Sequence, residues 1–183
     1  MKLIIISGRA NSGKTSLRKY ISKELGLKSI SSSDYTKTLT NDLSRLNLEK
    51  IFNDIVNIKG FDYLSKEIIN FGFKSEKYGL IDGIRHKKLI DGFKKLLLSE
   101  NIYHIHINLS EKNRYFLSKK SNRIEGQNLI LFKKFEKEST HENNTETLKY
   151  FANEIIGDEY IYFKEKVEKK VLIKLKKWIY STI

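Results

Sequence analysis

Residues 8–15 read Gly8-Arg9-Ala10-Asn11-Ser12-Gly13-Lys14-Thr15, and this stretch decides the fold. It fits the pattern G-x-x-x-x-G-K-[ST], in which a glycine-rich loop wraps its backbone N–H groups around phosphate oxygens. The apolar run Leu3–Ile6 precedes the stretch and a helical pattern follows it, which is the strand–loop–helix context that the motif requires. The stretch therefore predicts a phosphate-binding loop. The alternative is a strand–helix turn that binds nothing.

Each residue type in such a loop has its own task. The candidate phosphate-binding residues are Gly8, Asn11, Ser12, Gly13, Lys14, Thr15 and Ser16. The Lys14 ammonium can reach the outer phosphates, and the Thr15 hydroxyl can ligate Mg²⁺. A helix that begins near Gly13 adds the positive end of its dipole at the same place.

The composition favours one globular domain over residues 1–183. The hydrophobic fraction of 39% is sufficient for a core at this length. No apolar run approaches the roughly twenty residues of a membrane span. The chain has no cysteine, which excludes disulfides and thiolate metal sites. We therefore expect a cytoplasmic protein with no membrane partner, whose oligomeric state the sequence leaves open.

The formal net charge of +13 allows an anionic partner. The lysines, however, are scattered along the whole chain, which also lacks proline. That distribution is more typical of a general compositional bias than of a dedicated recognition patch. Nucleic acid is therefore a possible partner that is not favoured, and a site for a polyanionic nucleotide would account for part of the charge.

Strand-like and helical segments alternate along the chain. The pattern predicts strands at residues 2–7, 27–31, 78–81, 102–107 and 159–163. Helical spacing is found at residues 14–25, 39–71, 129–137 and 145–156, after Arg85, from Ser110 onwards, and at the end of the chain. His104 and His106 alternate with apolar neighbours and are interpreted as strand residues on one face rather than metal ligands. Such alternation predicts a parallel sheet with helices on both faces.

A second motif, Leu80–Arg85, follows the third predicted strand. Asp82 would end that strand, at the edge where open α/β sheets bind ligands, and could hold Mg²⁺ there. Gly83 lets the backbone turn without a side chain in the cleft. Arg85 offers a planar, bidentate donor to an anion. The alternative is a turn that carries a surface arginine.

With both motifs, the chain resembles the nucleoside monophosphate kinase-like P-loop kinases, in particular relatives of adenylate kinase, dephospho-CoA kinase and viral deoxynucleotide kinases. Adenylate kinases carry Asp-Gly-Phe-Pro-Arg at the second motif, and the arginine grips the acceptor phosphate. Asp82–Arg85 is similar but lacks the proline. Ser33 and Asp34, with the helical segment after them, match the acceptor-binding insert of these kinases. Their basic lid is matched by Arg114, Lys119, Lys120 and Arg123.

The resemblance implies a three-layer α/β P-loop NTPase fold with five parallel strands in the order 2-3-1-4-5. It implies an acceptor-binding insert at about residues 35–75 and a lid at about 110–128. The implied activity is ATP-dependent phosphoryl transfer to a small phosphorylated acceptor, with a (deoxy)nucleoside monophosphate as the first expectation. Alternatives are a nucleoside, dephospho-CoA or a nucleic-acid end as acceptor, or a regulatory module that binds nucleotide without an acceptor.

The resemblance also implies residue roles. Lys14 and Arg114 would neutralise charge on the transferred group, while Thr15 and Asp82 would hold Mg²⁺. Arg85 and Arg123 would bind the acceptor.

At three positions the sequence leaves the role of the residue open. Asp34 would orient or deprotonate an acceptor hydroxyl, contact an acceptor base or sugar, or else cap the next helix. Arg114 would be catalytic or a solvated residue of a first helical turn. Asn11 stands where many of these kinases have a third loop glycine, and asparagine tolerates positive φ better than other residues do. Aromatic residues of the insert, Phe52 among them, are expected in the core.

Overall fold

The computed structural model describes residues 1–122, 126–138 and 144–181, and a parallel sheet forms its centre. The strands of this sheet are β1 (Lys2–Gly8), β2 (Lys28–Ser31), β3 (Tyr78–Ile84), β4 (Ile102–Ile107) and β5 (Glu154–Ile156). Their order in the sheet is β2-β3-β1-β4-β5, with parallel pairing throughout. The predicted fold class and strand order are confirmed.

Helices connect the strands and cover both faces of the sheet. They are α1 (Lys14–Leu25), α2 (Ser32–Lys37), α3 (Arg45–Phe73), α4 (Lys87–Leu97), α5 (Glu111–Lys120), α6 (Leu129–Glu138), α7 (Glu159–Tyr162) and α8 (Lys164–Tyr180). Short 3₁₀ turns occupy Ser99–Asn101 and Thr147–Phe151. Within the described ranges, none of the helices is long and apolar enough to cross a membrane.

The core is divided by the sheet into two apolar clusters. Side chains of β1 alternate between them, so that Leu3 and Ile5 lie in one cluster and Ile4 and Ile6 in the other. Helices α1 and α8 close the cluster around Ile4 and Ile6, while α3 and α4 close the other. A strand buried on both faces reads as a continuous apolar run, which is why β1 was evident from the sequence.

The carboxyl ends of the central strands meet at one edge of the sheet. Strand β1 lies between β3 and β4, and Ile6 is opposite both Asp82 and Ile105. The register with β3 shifts after Ile6, so that Ser7 pairs with Ile84. The chain therefore leaves β1 beside the end of β3, which brings residues 8–15 next to the second motif.

The prediction for the last strand was wrong. Residues 159–163 are not a strand, because Glu159–Tyr162 is helix α7, and β5 is the short stretch Glu154–Ile156. Of the helix predicted at residues 145–156, only residues 145–146 are helical, and the 3₁₀ turn and β5 follow them. Asn153 anchors β5, since its N–H donates to the His104 carbonyl and its side chain accepts from the His104 N–H, both at 2.8 Å. This long-range pairing overrides the aromatic, β-prone composition of residues 159–163.

The insert contains two helices, and the second is broken by a glycine. Helix α2 begins directly after β2, and α3 begins at Arg45 rather than near residue 39. Gly60 interrupts α3 with φ 81° and ψ 169°, a backbone region that is essentially restricted to glycine. We call residues 45–59 the outer half of α3 and residues 61–73 its inner half. Leu64 and Ile68 of the inner half are fully buried.

Candidate active site

The loop after β1 has the backbone of a phosphate cradle. Gly8 and Gly13 have φ values of 142° and 86°, and Asn11 has φ 60°. A Cβ on Gly8 would lie 2.5 Å from the Ile107 carbonyl oxygen, so only glycine fits there. Asn11 thus has a positive φ, the conformation that asparagine was expected to tolerate at this position.

Lys14 is the first residue of α1, directly after the loop. Its Nζ donates to the Arg9 carbonyl at 2.6 Å and contacts Ser12 Oγ at 3.5 Å. Residues 10–16 form one wall of a cavity of about 350 Å³, and Asp82, Gly83 and Arg85 lie on another. Ser16, at the end of the loop, accepts a hydrogen bond from Lys164 at 2.8 Å. Backbone donors and a cation around one cavity fit a triphosphate.

Asp82 is buried at the floor of this cavity and is held by α1. Its Oδ2 accepts from Thr15 Oγ1 at 3.2 Å and forms an ion pair with Arg18 Nε, also at 3.2 Å. A hydroxyl and a carboxylate at this distance fit the oxygen ligands that Mg²⁺ prefers. Arg18 was not predicted as a site residue from the sequence. Its spacing of three residues from Thr15 on one helix face was the available signal.

A second cavity, of about 310 Å³, lies between α2, the outer half of α3 and the end of β3. Arg85 and Glu49 form an ion pair in its wall, with Nη1 and Oε1 3.2 Å apart and both side chains partly buried. Phe52 stacks on His86 beside this pair, with 5.4 Å between the ring centroids. Hydroxyls of β2 and α2, including those of Ser31 and Thr36, line the remaining wall.

The two cavities meet at three residues. Ser31, Gly83 and Arg85 line both of them. Gly83 has φ 83°, and a Cβ there would lie 2.8 Å from Ser32 Oγ, so glycine keeps the junction open. The loop and the second motif therefore form one continuous cleft, with Arg85 at the boundary between its two parts.

The contacts of Asp34 are those of a helix cap. Its Oδ2 accepts from the Ser31 N–H at 2.7 Å, and its Oδ1 pairs with Lys37 Nζ at 2.7 Å. Burial raises the pKa of this carboxyl, but the hydrogen bonds from Lys37 and Ser31 outweigh burial and leave the pKa below its usual value. Asp34 is not among the residues that line the two cavities. Its role towards an acceptor stays a prediction.

Arg114 is buried, with 4% of its surface exposed, and is not among the residues that line the cleft. Its Nη1 lies 2.5 Å from Glu136 Oε1, and the other oxygen of Glu136 lies 2.9 Å from Arg9 Nη2. The carboxylate thus links α5 to the phosphate loop. The solvated interpretation of Arg114 is wrong, and its catalytic role stays a prediction. Lys119 and Lys120 are exposed, and Arg123 lies outside the described residues.

Three polar side chains are buried together beneath the loop. Ser7 Oγ lies 2.6 Å from His104 Nε2 and 2.8 Å from His106 Nδ1. His104 Nδ1 donates to the Phe151 carbonyl at 3.3 Å, so its Nε2 accepts from Ser7 and Ser7 in turn accepts from His106. Burial lowers the pKa of His104 to about 4 and that of His106 to about 3. Both imidazoles are therefore neutral near neutral pH.

This buried network predicts a loss of stability in mild acid. In the unfolded chain these histidines have a pKa of 6.5, so below that pH they bind protons while the folded histidines stay neutral. The free energy of unfolding should therefore fall as the pH drops from about 6.5 towards 4, by up to about 1.4 kcal/mol per pH unit for each histidine. Urea unfolding between about pH 6.5 and 4.5 measures this slope, and His106→Gln should reduce it. An unchanged slope in a folded His106→Gln protein would contradict the assignment.

No protein-family model matches the chain, and no curated protein does. Solved structures do match its fold. The shikimate kinase from Bacteroides thetaiotaomicron has a TM-score of 0.58 at 14% identity, covering 96% of this chain and 98% of that one. The shikimate kinase from Aquifex aeolicus has a TM-score of 0.53 at 15% identity, covering 95% and 96%. An uncharacterized protein from Eubacterium ventriosum has a TM-score of 0.55 at 14% identity, covering 92% and 98%.

These likenesses extend over nearly the whole chain and agree with the strand order. The chain therefore has the three-layer α/β P-loop fold that is also found in these kinases. At such low identity the likeness is one of fold. The residues of the cleft are therefore the basis for assigning a reaction.

Proposed function

We propose that the chain is a phosphotransferase that moves the terminal phosphoryl group of ATP to a small phosphorylated acceptor. The first expected acceptor is a (deoxy)nucleoside monophosphate. The observation that carries this proposal is the junction of the two cavities at Ser31, Gly83 and Arg85. A module that only bound nucleotide would need the phosphate loop but not a second, connected cavity with an arginine at its mouth.

The charges along the cleft support a division of tasks. On the donor side, Lys14 supplies positive charge where the transferred group gains negative charge. Thr15 and Asp82 are the oxygen ligands for Mg²⁺, which when bound would neutralise charge between the outer phosphates. On the acceptor side, the Arg85 guanidinium suits bidentate contact with a phosphate. Its present partner, Glu49, is a carboxylate that an acceptor phosphate would replace.

The acceptor cavity favours a ligand with an apolar or flat part and several polar groups. Phe52 and His86 form one side, while the hydroxyls of Ser31 and Thr36 form another. The volume of about 310 Å³ lies at the small end of ligand pockets. A nucleoside monophosphate meets these requirements. Shikimate, which the names of the structural neighbours mention, carries no phosphate and should be tested alongside it as an alternative acceptor.

A panel of acceptors tests the proposal. ADP release from ATP and Mg²⁺ should rise strongly with one nucleoside monophosphate and stay near background with nucleosides, dephospho-CoA, DNA ends and shikimate. Mass spectrometry of the acceptor identifies the product.

Stimulation of ADP release by a phosphate-free acceptor would agree with kinase activity but would overturn the proposal of a phosphorylated acceptor. If ATP binds tightly and no acceptor stimulates ADP release, the regulatory-module alternative gains. Hydrogen exchange adds a second measurement. Added protection of the outer half of α3 only when an ATP analogue and the acceptor are both present supports transfer.

A further inference from the structure

The last helix separates an apolar face from a lysine-rich face. Val171, Leu172, Leu175 and Ile179 are buried against the sheet. At 3.6 residues per turn, the opposite side carries Lys166, Lys170, Ile173, Lys177 and Tyr180. We call the exposed side of α8, together with Tyr162 and Phe163 before it, the α8 basic face. Several lysines of the last helix are thus gathered onto one surface.

Most positive charge on this face is not neutralised. Lys169 pairs with Glu165, and Lys174 pairs with Glu154. Lys166, Lys170 and Lys177 have no ion pair or hydrogen bond with any other described residue, and all three are exposed. The only other acid of α8, Glu168, is buried and accepts a hydrogen bond from the Tyr160 hydroxyl at 2.9 Å. The face therefore holds at least three unpaired cations and no unpaired acid among its described residues.

Aromatic rings stand at the start of the same face. Tyr162 and Phe163 are 68% and 61% exposed. They lie with the lysines along an open groove of about 870 Å³. Phe163 also borders a smaller recess beside β5. Exposed rings next to a line of cations are the two parts of a single-strand binding surface, since bases stack on the rings while phosphates meet the cations.

We propose that the α8 basic face binds single-stranded nucleic acid, with phosphates along Lys166, Lys170 and Lys177 and a base stacked on Phe163. The proposal is independent of the transfer activity. The helix length of 17 residues corresponds to about 25 Å, which is enough for several nucleotides. The groove begins near the phosphate loop, because Lys164 bonds to Ser16.

An acidic membrane surface fits less well. A helix that lies in a membrane interface inserts its apolar face. Here that face is committed to the core through Val171, Leu175 and Ile179. The exposed rings are confined to the start of the face and to Tyr180 rather than spread along it. Base stacking uses such isolated rings, whereas membrane insertion requires a continuous apolar strip.

Fluorescence anisotropy with labelled oligothymidylate of about twenty nucleotides tests the proposal. The wild-type chain should bind with an affinity that falls steeply with salt. The triple variant Lys166→Glu, Lys170→Glu, Lys177→Glu should bind about tenfold more weakly or worse, with a log–log salt slope smaller by about 2. The triple Lys→Gln variant at the same positions should show a smaller loss in the same direction. Circular dichroism confirms that each variant is folded.

A charge-matched control separates the face from net charge alone. Lys66, Lys74 and Lys77 are exposed on other parts of the chain, and their triple Lys→Glu variant carries the same net charge as the α8 variant. Equal loss of binding in both variants would overturn the proposal. Lys14→Ala should retain oligothymidylate binding, and loss there would assign the binding to the phosphate loop instead.

Two further probes separate the ligand classes. Phe163→Ala should weaken oligothymidylate several-fold and leave inorganic polyphosphate binding unchanged. Equal weakening of both, or of neither, would overturn base stacking. Vesicles that contain phosphatidylserine should bind no more tightly than oligothymidylate does. Vesicle binding without oligothymidylate binding would show a membrane surface and overturn the proposal.

Discussion

Lys14→Ala should lose nearly all phosphoryl transfer while the protein stays folded. The Lys14 Nζ donates to the Arg9 carbonyl and contacts Ser12 Oγ in the loop, and the side chain is not part of either apolar cluster. Losing one contact that stabilises charge in a transition state typically costs about 10²–10³ in turnover. With the acceptor found by the panel, kcat should fall by that factor, and thermal unfolding should be nearly unchanged.

Lys19 provides the matched control. It lies on the same helix, is exposed, and is not among the residues that line the cleft. Lys19→Ala should leave kcat and the acceptor KM at wild-type values. If the folded Lys14→Ala protein turned over near the wild-type rate, the phosphate loop would not be the site of transfer.

Arg85→Ala should mainly damage use of the acceptor. The guanidinium stands at the junction of the two cavities, where it faces the acceptor side and pairs with Glu49 at 3.2 Å. A charge-assisted hydrogen bond contributes about 1.5–3 kcal/mol, so the acceptor KM should rise roughly 10- to 100-fold. The affinity for ATP should change little, because the phosphate loop keeps its own backbone donors.

Arg85→Lys distinguishes charge from shape. Lysine keeps the positive charge but lacks the planar fork, so we expect partial recovery of the acceptor KM. Steady-state kinetics with each substrate varied in turn measure both constants. Equal losses of ATP and acceptor affinity in Arg85→Ala, or no loss of either, would argue against an acceptor role for this residue.

The sequence was sufficient for the features that short motifs encode. Residues 8–15 predicted the loop because the glycine spacing reports the backbone directly, and φ 60° at Asn11 agrees with the expectation for that position. The Asp82–Arg85 stretch placed these side chains at the ligand-binding edge of the sheet, but the junction of two cavities at Arg85 was not predicted. Alternation of strands and helices predicted the parallel sheet, and the strand order came from the resemblance to P-loop kinases, even though the boundaries of the last strand were wrong.

The remaining parts depend on contacts between distant segments. β5 has three residues, too few for periodicity to show, and it is fixed by Asn153 against His104. Phe52 packs against the core as expected but also lines the second cavity, and only the fold brings Glu49 of the same helix to Arg85. Glu136 joins Arg9 and Arg114 across more than a hundred residues of chain. Ion pairs of this kind leave no local signature.

The break in α3 at Gly60 separates two halves that differ in how deeply their side chains are buried. The inner half holds the core through Leu64 and Ile68, whereas residues 47–59 of the outer half are all partly or fully exposed while they wall the second cavity. Phe52, Ile55 and Val56 of the outer half still pack against the core, so only its exposed positions can be substituted with little penalty for folding. Under the proposed function, substitutions at exposed positions that line the second cavity would change the acceptor while leaving the scaffold and the phosphate loop unaltered.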